Sequence, residues 1–359
     1  MSRPTRARVD LSALQHNYRV ACEASPGSKT IAVIKANAYG HGAVHVARAL
    51  NEIAPVFAVA CIEEAIELRE GGIEKPVLLL EGPLSADEVQ IAGEQNFWLM
   101  ASGTEQVETI CRAQVKQSLR VWLKVDSGMH RLGIQEADFA SCYSKLKSAE
   151  HVDNEIVIAT HFASADNTAS DTTKQQIELF QGLLADVDAP TSLANSAGLL
   201  HWENARSDWN RAGILLYGAS PFEQPHPNGD KLLPVMNLES QVIGVRDIPA
   251  GESVGYSDLW VAERPSRIAT VAIGYGDGYP RSAPSGTPVL VNGVRAPLAG
   301  RVSMDMITVD VTDLPSVNVG DPVELWGKTI PVNEVAQAAG TISYELLTRM
   351  PLRPKREYV

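Results

Sequence analysis

The sequence predicts an α/β chain in two parts: an N-terminal (β/α)8 barrel followed by a C-terminal, mostly-β domain. Three observations lead there. Eight apolar strand candidates alternate with helical runs between residues 30 and 217, the count of a (β/α)8 barrel. No Gly-x-Gly-x-x-Gly turn follows the first of these strands, which ranks an open doubly wound sheet lower. Near residue 232 the alternation stops, and β-rich segments separated by turn residues take over. The predicted parts are 1–232 and 233–359, with the first few residues a candidate strand of the second part. At 359 residues the chain has length enough for two cores.

The chain opens with a short strand candidate, Arg6 to Leu11, and an amphipathic helix carrying Leu11, Leu14, Tyr18 and Cys22 on one face. The barrel strands are predicted at Thr30–Ile34, Val56–Val59, Val77–Leu80, Phe97–Met100, Leu119–Val125, Ile156–Thr160, Thr191–Ala194 and Gly213–Tyr217. Between them fall helical runs such as Ala43–Leu50, Glu63–Glu70, Ala86–Gln95, Thr104–Ala113, Ala137–Ser148 and Thr173–Leu184. In the second part the strand candidates are Val235–Val245, Ser266–Ile273, Thr287–Val291, Met306–Val311 and Pro322–Leu325. Asn292-Gly293 between apolar runs is a strong hairpin signal. A helix is expected at Val332–Ala339.

Composition narrows the function. Hydrophobic residues make up 45% and charged residues 21%, as in a globular protein. The net charge of −12, with no basic run, argues against a nucleic-acid partner. Cys22, Cys61, Cys111 and Cys142 form no Cys-x-x-Cys pair, so no metal site is expected. Free thiols fit a cytoplasmic protein. The basic N-terminus, Met1 to Arg6, has no apolar run behind it, and no stretch approaches the roughly 20 residues of a membrane helix. Neither a signal peptide nor a membrane association is expected.

The chemistry is expected where the barrel strands end. The first strand runs into Lys35-Ala36-Asn37-Ala38-Tyr39-Gly40-His41-Gly42. Alternation puts Ile31, Val33 and Lys35 on one face. A lysine there either leaves for solvent or is used; desolvation lowers its pKa, as a Schiff-base or proton-transfer lysine requires. Near the fifth strand's end stand Trp122, Lys124 and Asp126, and Asp126 is a candidate partner for the second inward lysine. His161 ends the sixth strand. Ser196 follows the seventh, either as a helix N-cap or as a phosphate ligand. Arg211 lies at the eighth, followed by Gly213 and Ile214.

The run VIKANAYGHG resembles the pyridoxal 5′-phosphate (PLP) lysine motif of alanine racemases. Further matches follow in the family's order, over roughly residues 5 to 350: LKVDSGMHRLG, Arg211-Ala212-Gly213-Ile214 through Tyr217-Gly218, Gly274-Tyr275-Gly276-Asp277-Gly278 and Gly300-Arg301-Val302-Ser303-Met304-Asp305. The resemblance implies that Lys35 is the Schiff-base lysine and that Tyr39, Ser196, Gly213 and Ile214 hold the cofactor phosphate. His161 would stand beside the ring and Arg211 at the pyridine nitrogen. Arg131 would bond the phenolic oxygen and the substrate carboxylate, with Lys124, often carbamylated in the family, behind it. The loop Gly251–Tyr256 resembles the one carrying the second catalytic residue, Tyr256. Met304 would offer its backbone N–H to the substrate carboxylate. Two departures stand out: Ala212 replaces a common proline, and Leu352 is read at the position of a phosphate-binding tyrosine.

The implied enzyme is an alanine racemase, an isomerase interconverting L- and D-alanine with Lys35 and Tyr256 on opposite faces, supplying D-alanine for peptidoglycan or degrading it. The implied assembly is a head-to-tail homodimer with shared active sites. A PLP decarboxylase of the same architecture, a non-enzymatic PLP-binding barrel and a PLP-free barrel acting on sugar phosphates are the rivals. The first would want a catalytic cysteine in the second domain, yet none lies beyond Cys142. The second would lack that domain.

Overall fold

The computed structural model describes residues 3–359, so the first two residues of the basic N-terminus lie outside the described residues. Eight parallel strands run Lys29–Val33, Phe57–Val59, Val77–Leu79, Phe97–Ala101, Val121–Lys124, Val157–Ala159, Thr191–Ser192 and Trp209–Ala212. The first seven pair successively in sequence order, and the eighth pairs with the first, Ile31 opposite Arg211. The remaining seam carries a backbone bond from Arg211 N–H to Ala194 O at 3.0 Å. The result is a nearly closed (β/α)8 barrel. Its strands are buried on both faces, which is why they read as continuous apolar runs. Trp209 meets Trp98 and Trp122 edge-on, with centroids 5.6 and 5.8 Å apart, and fills the barrel away from the strands' C-terminal ends.

One strand differs from expectation. The eighth is Trp209–Ala212, and the expected stretch from Gly213 to Tyr217 is instead a 3-10 turn over Ile214–Tyr217. All four residues of that turn are buried, so the sequence shows no alternation to separate strand from helix there. Gly218 closes it at φ 79°, where a Cβ would lie 2.0 Å from Leu233 O.

The second sheet runs Val294–Pro297, Pro288–Val291, Pro322–Trp326, Met236–Ile248, Arg6–Val9, Lys355–Tyr358. Ser266–Val271 branches from the long Met236–Ile248 strand and pairs with Ile307–Asp310. The N-terminal strand thus sits between the long strand, antiparallel, and the C-terminal strand, parallel. That C-terminal strand and a short helix, Ser343–Thr348, are additions to the predicted elements.

Beside this sheet Asp277, with its side chain fully buried, receives Arg3 and Arg353 together with the Gly274 N–H. Arg353 also reaches Asp305 at 2.8 Å. Burial pushes the Asp277 carboxyl up, but the bonds from Arg353, Arg3 and Gly274 outweigh it and leave it below the usual value. Its stabilisation is present above the ordinary carboxylate pKa and is lost as pH falls through the depressed folded value. Asp277→Asn should cost about 2–3 kcal/mol at pH 7, because two arginines lose their buried partner. Urea titrations at pH 7 and pH 3 check this: the gap between the two proteins should narrow at the lower pH, and an equal gap at both would refute the assignment.

Candidate active site

At the C-terminal ends of the strands lies a cavity of about 500 Å³. Its lining gathers Lys35, Tyr39, Lys124, Arg131, His161, Ser196, Arg211, Gly213 and Ile214 from separate strand ends. Glu81 is the one carboxylate among them, so the cavity is strongly cationic. A larger cleft, about 710 Å³, opens elsewhere with Lys29, Trp98, Arg120 and Trp209 in its walls. There Arg120 is already paired with Asp153 and Glu155, and no comparable acid–base set converges.

Lys35 lies two residues past the end of its strand, not within it. It opens a left-handed turn: Ala36, Asn37, Ala38 and Tyr39 have φ of 52°, 53°, 51° and 49°. L-residues pay about 1–2 kcal/mol each for this conformation, and only Gly and Asn adopt it readily. The turn aims Tyr39 inward, stacked on Tyr217 at 4.6 Å, whose hydroxyl donates to Val33 O. From the second domain, Arg356 Nε donates to Gly40 O at 2.7 Å and Tyr358 stacks on His45 at 3.8 Å. A Cβ on Gly40 would lie 2.1 Å from Leu347 O, so the docking of the two parts requires glycine there.

The polar groups have clear physical states. Burial and the Arg131 charge lower the Lys35 pKa, while Glu81 and Glu64 oppose them. Lys124, 8% exposed, is lowered to about 8 by burial and by Arg211 and Arg131. Asp126 is not its partner: that carboxylate takes the N–H groups of Gly128, Met129 and His130 and faces the His130 ring. It caps the loop leading to Arg131 instead. Burial and the Arg211 charge hold His161 well below its ordinary value, so its ring stays neutral. It can therefore accept at Nδ1 from Arg211, 3.4 Å away.

Arg211 is buried, and its pKa is lowered to about 10 by burial. Its two terminal nitrogens donate to Ser192 O and Oγ, Thr160 O and Leu193 O. These neutral acceptors satisfy the fork without a carboxylate, and Nε has no partner among the described residues. Asn195, rather than Ser196, caps the following helix. The Ser196 hydroxyl is thereby released to accept the N–H groups of Gly213 and Leu215. A Cβ on Gly213 would lie 3.0 Å from Tyr39 Oη and 3.6 Å from Ser196 Oγ, so a glycine keeps that cradle open.

A cationic cavity with an amine, a hydroxyl-lined cradle and an unspent Nε–H fits PLP: phosphate in the cradle, ring nitrogen at Arg211. Tyr344, from the short C-terminal helix, completes the cradle wall 6.2 Å from the Tyr39 ring. Leu352, read as standing in a tyrosine's place, is 85% exposed and away from the cavity, whereas Tyr344 lines it. The sequence signal for Tyr344 was an aromatic hydroxyl in the last helical run before the C-terminal strand.

Two expected residues are not in this cavity. Tyr256 is 68% exposed and Met304 53% exposed, both on second-domain loops. Their loops neighbour each other and the Gly274–Gly278 turn: Tyr275 and Gly276 N–H bond Ser303 O and Met304 O, and Gly255 lies against Arg301. Around them Leu259, Val261 and Met306 are exposed.

Fold and cavity together define a two-part (β/α)8-barrel protein whose cationic strand-end cavity sets an amine beside a hydroxyl-lined cradle. Residues 9–221 match the family description "Alanine racemase, N-terminal domain", and residues 235–358 match "Alanine racemase, C-terminal domain". A relative from Pseudomonas putida named "Alanine racemase, catabolic" is 51% identical over 99% of both chains. The crystal structure of a biosynthetic alanine racemase from Pseudomonas aeruginosa superposes with a TM-score of 0.96, at 50% identity and 99% coverage of each chain. That of an alanine racemase from Bartonella henselae with covalently bound pyridoxal phosphate gives 0.90, at 33% identity and 99% coverage of each. The chain belongs to the alanine racemase family and is an isomerase. No helix among the described residues is long and apolar enough to cross a membrane.

Proposed function

We propose that this chain interconverts L- and D-alanine with PLP held in the strand-end cavity, and that a second copy completes each site. The observation that carries the reading is the convergence of Lys35, Arg131 and Arg211 with the Tyr39–Ser196–Gly213 cradle in one cationic cavity. PLP, when bound, supplies an electron sink for the charge left as the alanine α-proton departs. Tyr39, Tyr344, Ser196 and the Gly213 and Ile214 N–H groups hold its phosphate. Arg211 donates Nε–H to the ring nitrogen. Because a guanidinium does not readily give up its proton, Arg211 would leave the ring nitrogen of bound PLP unprotonated and its electron sink shallow. That favours rapid return of the proton over side reactions.

Arg131 serves the phenolic oxygen and the substrate carboxylate; its fork can take both. Lys124, lowered to about 8 and without a carboxylate partner, has a far larger neutral-amine fraction than an ordinary lysine, as carbamylation behind Arg131 requires. His161 presents a neutral ring to the cofactor. Lys35, desolvated by the cavity, moves the proton on one face. Tyr256 has no acid–base partner in the Lys35 cavity of its own chain, so it acts on the opposite face of the partner copy's site, with Met304 beside it. The exposed Leu259, Val261 and Met306 around these loops support a homodimer interface. The free, widely spaced cysteines support a cytoplasmic setting.

Borohydride reduction followed by peptide mapping tests the assignment. The pyridoxyl group should be found on Lys35. Finding it on Lys124 would overturn the site.

A further inference from the structure

The left-handed turn after Lys35 needs to be held. Ala36, Ala38 and Tyr39 do not choose it, so outside contacts must impose it. Three of them act on its far half. Asn37 Oδ1 accepts the Ala43 N–H at 2.8 Å, His41 Nδ1 bonds Ala38 O and Tyr39 O, and Arg356 bonds Gly40 O. The near half rests on one side chain. Glu64, in the first turn of the helix Ile62–Glu70, accepts the Ala36 N–H through Oε1 at 2.6 Å. Its Oε2 accepts the Ala60 N–H at 2.8 Å. Ala60 directly follows the second barrel strand. One carboxylate therefore ties the ends of two neighbouring strands, and its grip is on the peptide that joins Lys35 to Ala36.

We propose that Glu64 is a positioning residue: it fixes the Lys35–Ala36 peptide at the entry to the left-handed turn and so aims the Lys35 amine into the cavity. The inference rests on Lys35 being the cofactor lysine. Glu64 does not line the cavity; it acts through that peptide, and its charge also opposes the lowering of the Lys35 pKa. A carboxylate is needed because two N–H groups converge on it, each giving a charge-assisted bond. An amide of the same size accepts through one oxygen and turns its own N–H groups toward the other donor. Aspartate is one methylene too short to span both.

The test compares holoenzyme of the native sequence with Glu64→Gln and with the double variant Glu64→Gln/Ala36→Gly. Glu64→Gln should lower kcat by about tenfold or more while KM for alanine stays within about twofold, because the aim of the amine changes and the carboxylate site does not. Amide exchange should accelerate in peptides spanning residues 34–42 and stay native in those spanning 121–134, with thermal unfolding nearly unchanged. Glycine adopts positive φ without a Cβ penalty, so Ala36→Gly should restore part of the lost kcat. A merely structural role would raise exchange throughout the barrel and give no such rescue. Native kcat in Glu64→Gln, or native exchange over 34–42, would overturn the proposal. Borohydride mapping on the same samples separates the two ideas. A label on Lys35 leaves the cofactor reading standing whatever Glu64→Gln does, whereas a label on Lys124 removes that reading and this inference with it.

Discussion

Lys35→Ala should lower racemisation in both directions by about 10⁴-fold or more, since it removes both the covalent anchor of the cofactor and one of the two proton carriers. A further expectation follows from the placement of Tyr256, which is 68% exposed and away from the cavity of its own chain. A Lys35→Ala chain still carries an intact Tyr256 loop, and a Tyr256→Phe chain still carries an intact Lys35. In a mixed dimer one site would combine the two intact residues, and the other would combine the two defects. Equal amounts of exchanging subunits should therefore recover about a quarter of the native activity, since half the dimers are mixed and half their sites are whole. The measurement is activity against mixing time, with exchange followed independently by a tag on one chain. Full exchange without recovery would show that each chain builds its site alone.

The barrel was legible because its strands are short, apolar and evenly spaced by helices, which the (β/α)8 pattern requires. Lys35, Arg131 and Arg211 were picked out through the resemblance of their motifs to the family; position alone left Lys35 a lysine that could simply leave the strand end for solvent. Local geometry was not. Four consecutive left-handed residues in Ala36–Tyr39 have no sequence signal, because alanine and tyrosine do not prefer that conformation and tertiary contacts impose it. Ile214–Tyr217 read as a strand because a wholly buried turn shows no periodicity. Asp126 looked like a partner for Lys124 by alternation, but the chain turns after Val125, and the carboxylate caps that turn instead. Tyr344 was missed because its short helix lies far along the chain and reaches the cavity only through the packing of the second domain against Gly40. Glu64 read as an ordinary helix residue; that its two oxygens face two different strand ends is a fact of three dimensions alone.

Tyr256→Phe should reduce racemisation by about 10²–10⁴-fold in both directions while sparing proton exchange for one enantiomer only. Every turnover removes a proton from one face and returns one to the other, so losing either carrier stops the full cycle. Half of the cycle survives. The enantiomer whose α-proton faces Lys35 can still lose it and regain a solvent proton on the same face. An unperturbed lysine sits near 10.4 and a tyrosine near 10, both too high for an efficient base at neutral pH. The cavity lowers Lys35 by burial and by the nearby Arg131. In heavy water, NMR should show α-proton washout from D-alanine, the enantiomer served by the lysine in this family, close to native in Tyr256→Phe. Washout from L-alanine should fall by about the same factor as racemisation, with cofactor absorbance showing PLP still bound. Equal slowing of both washouts with PLP retained would mean that Tyr256 is not the carrier on the second face.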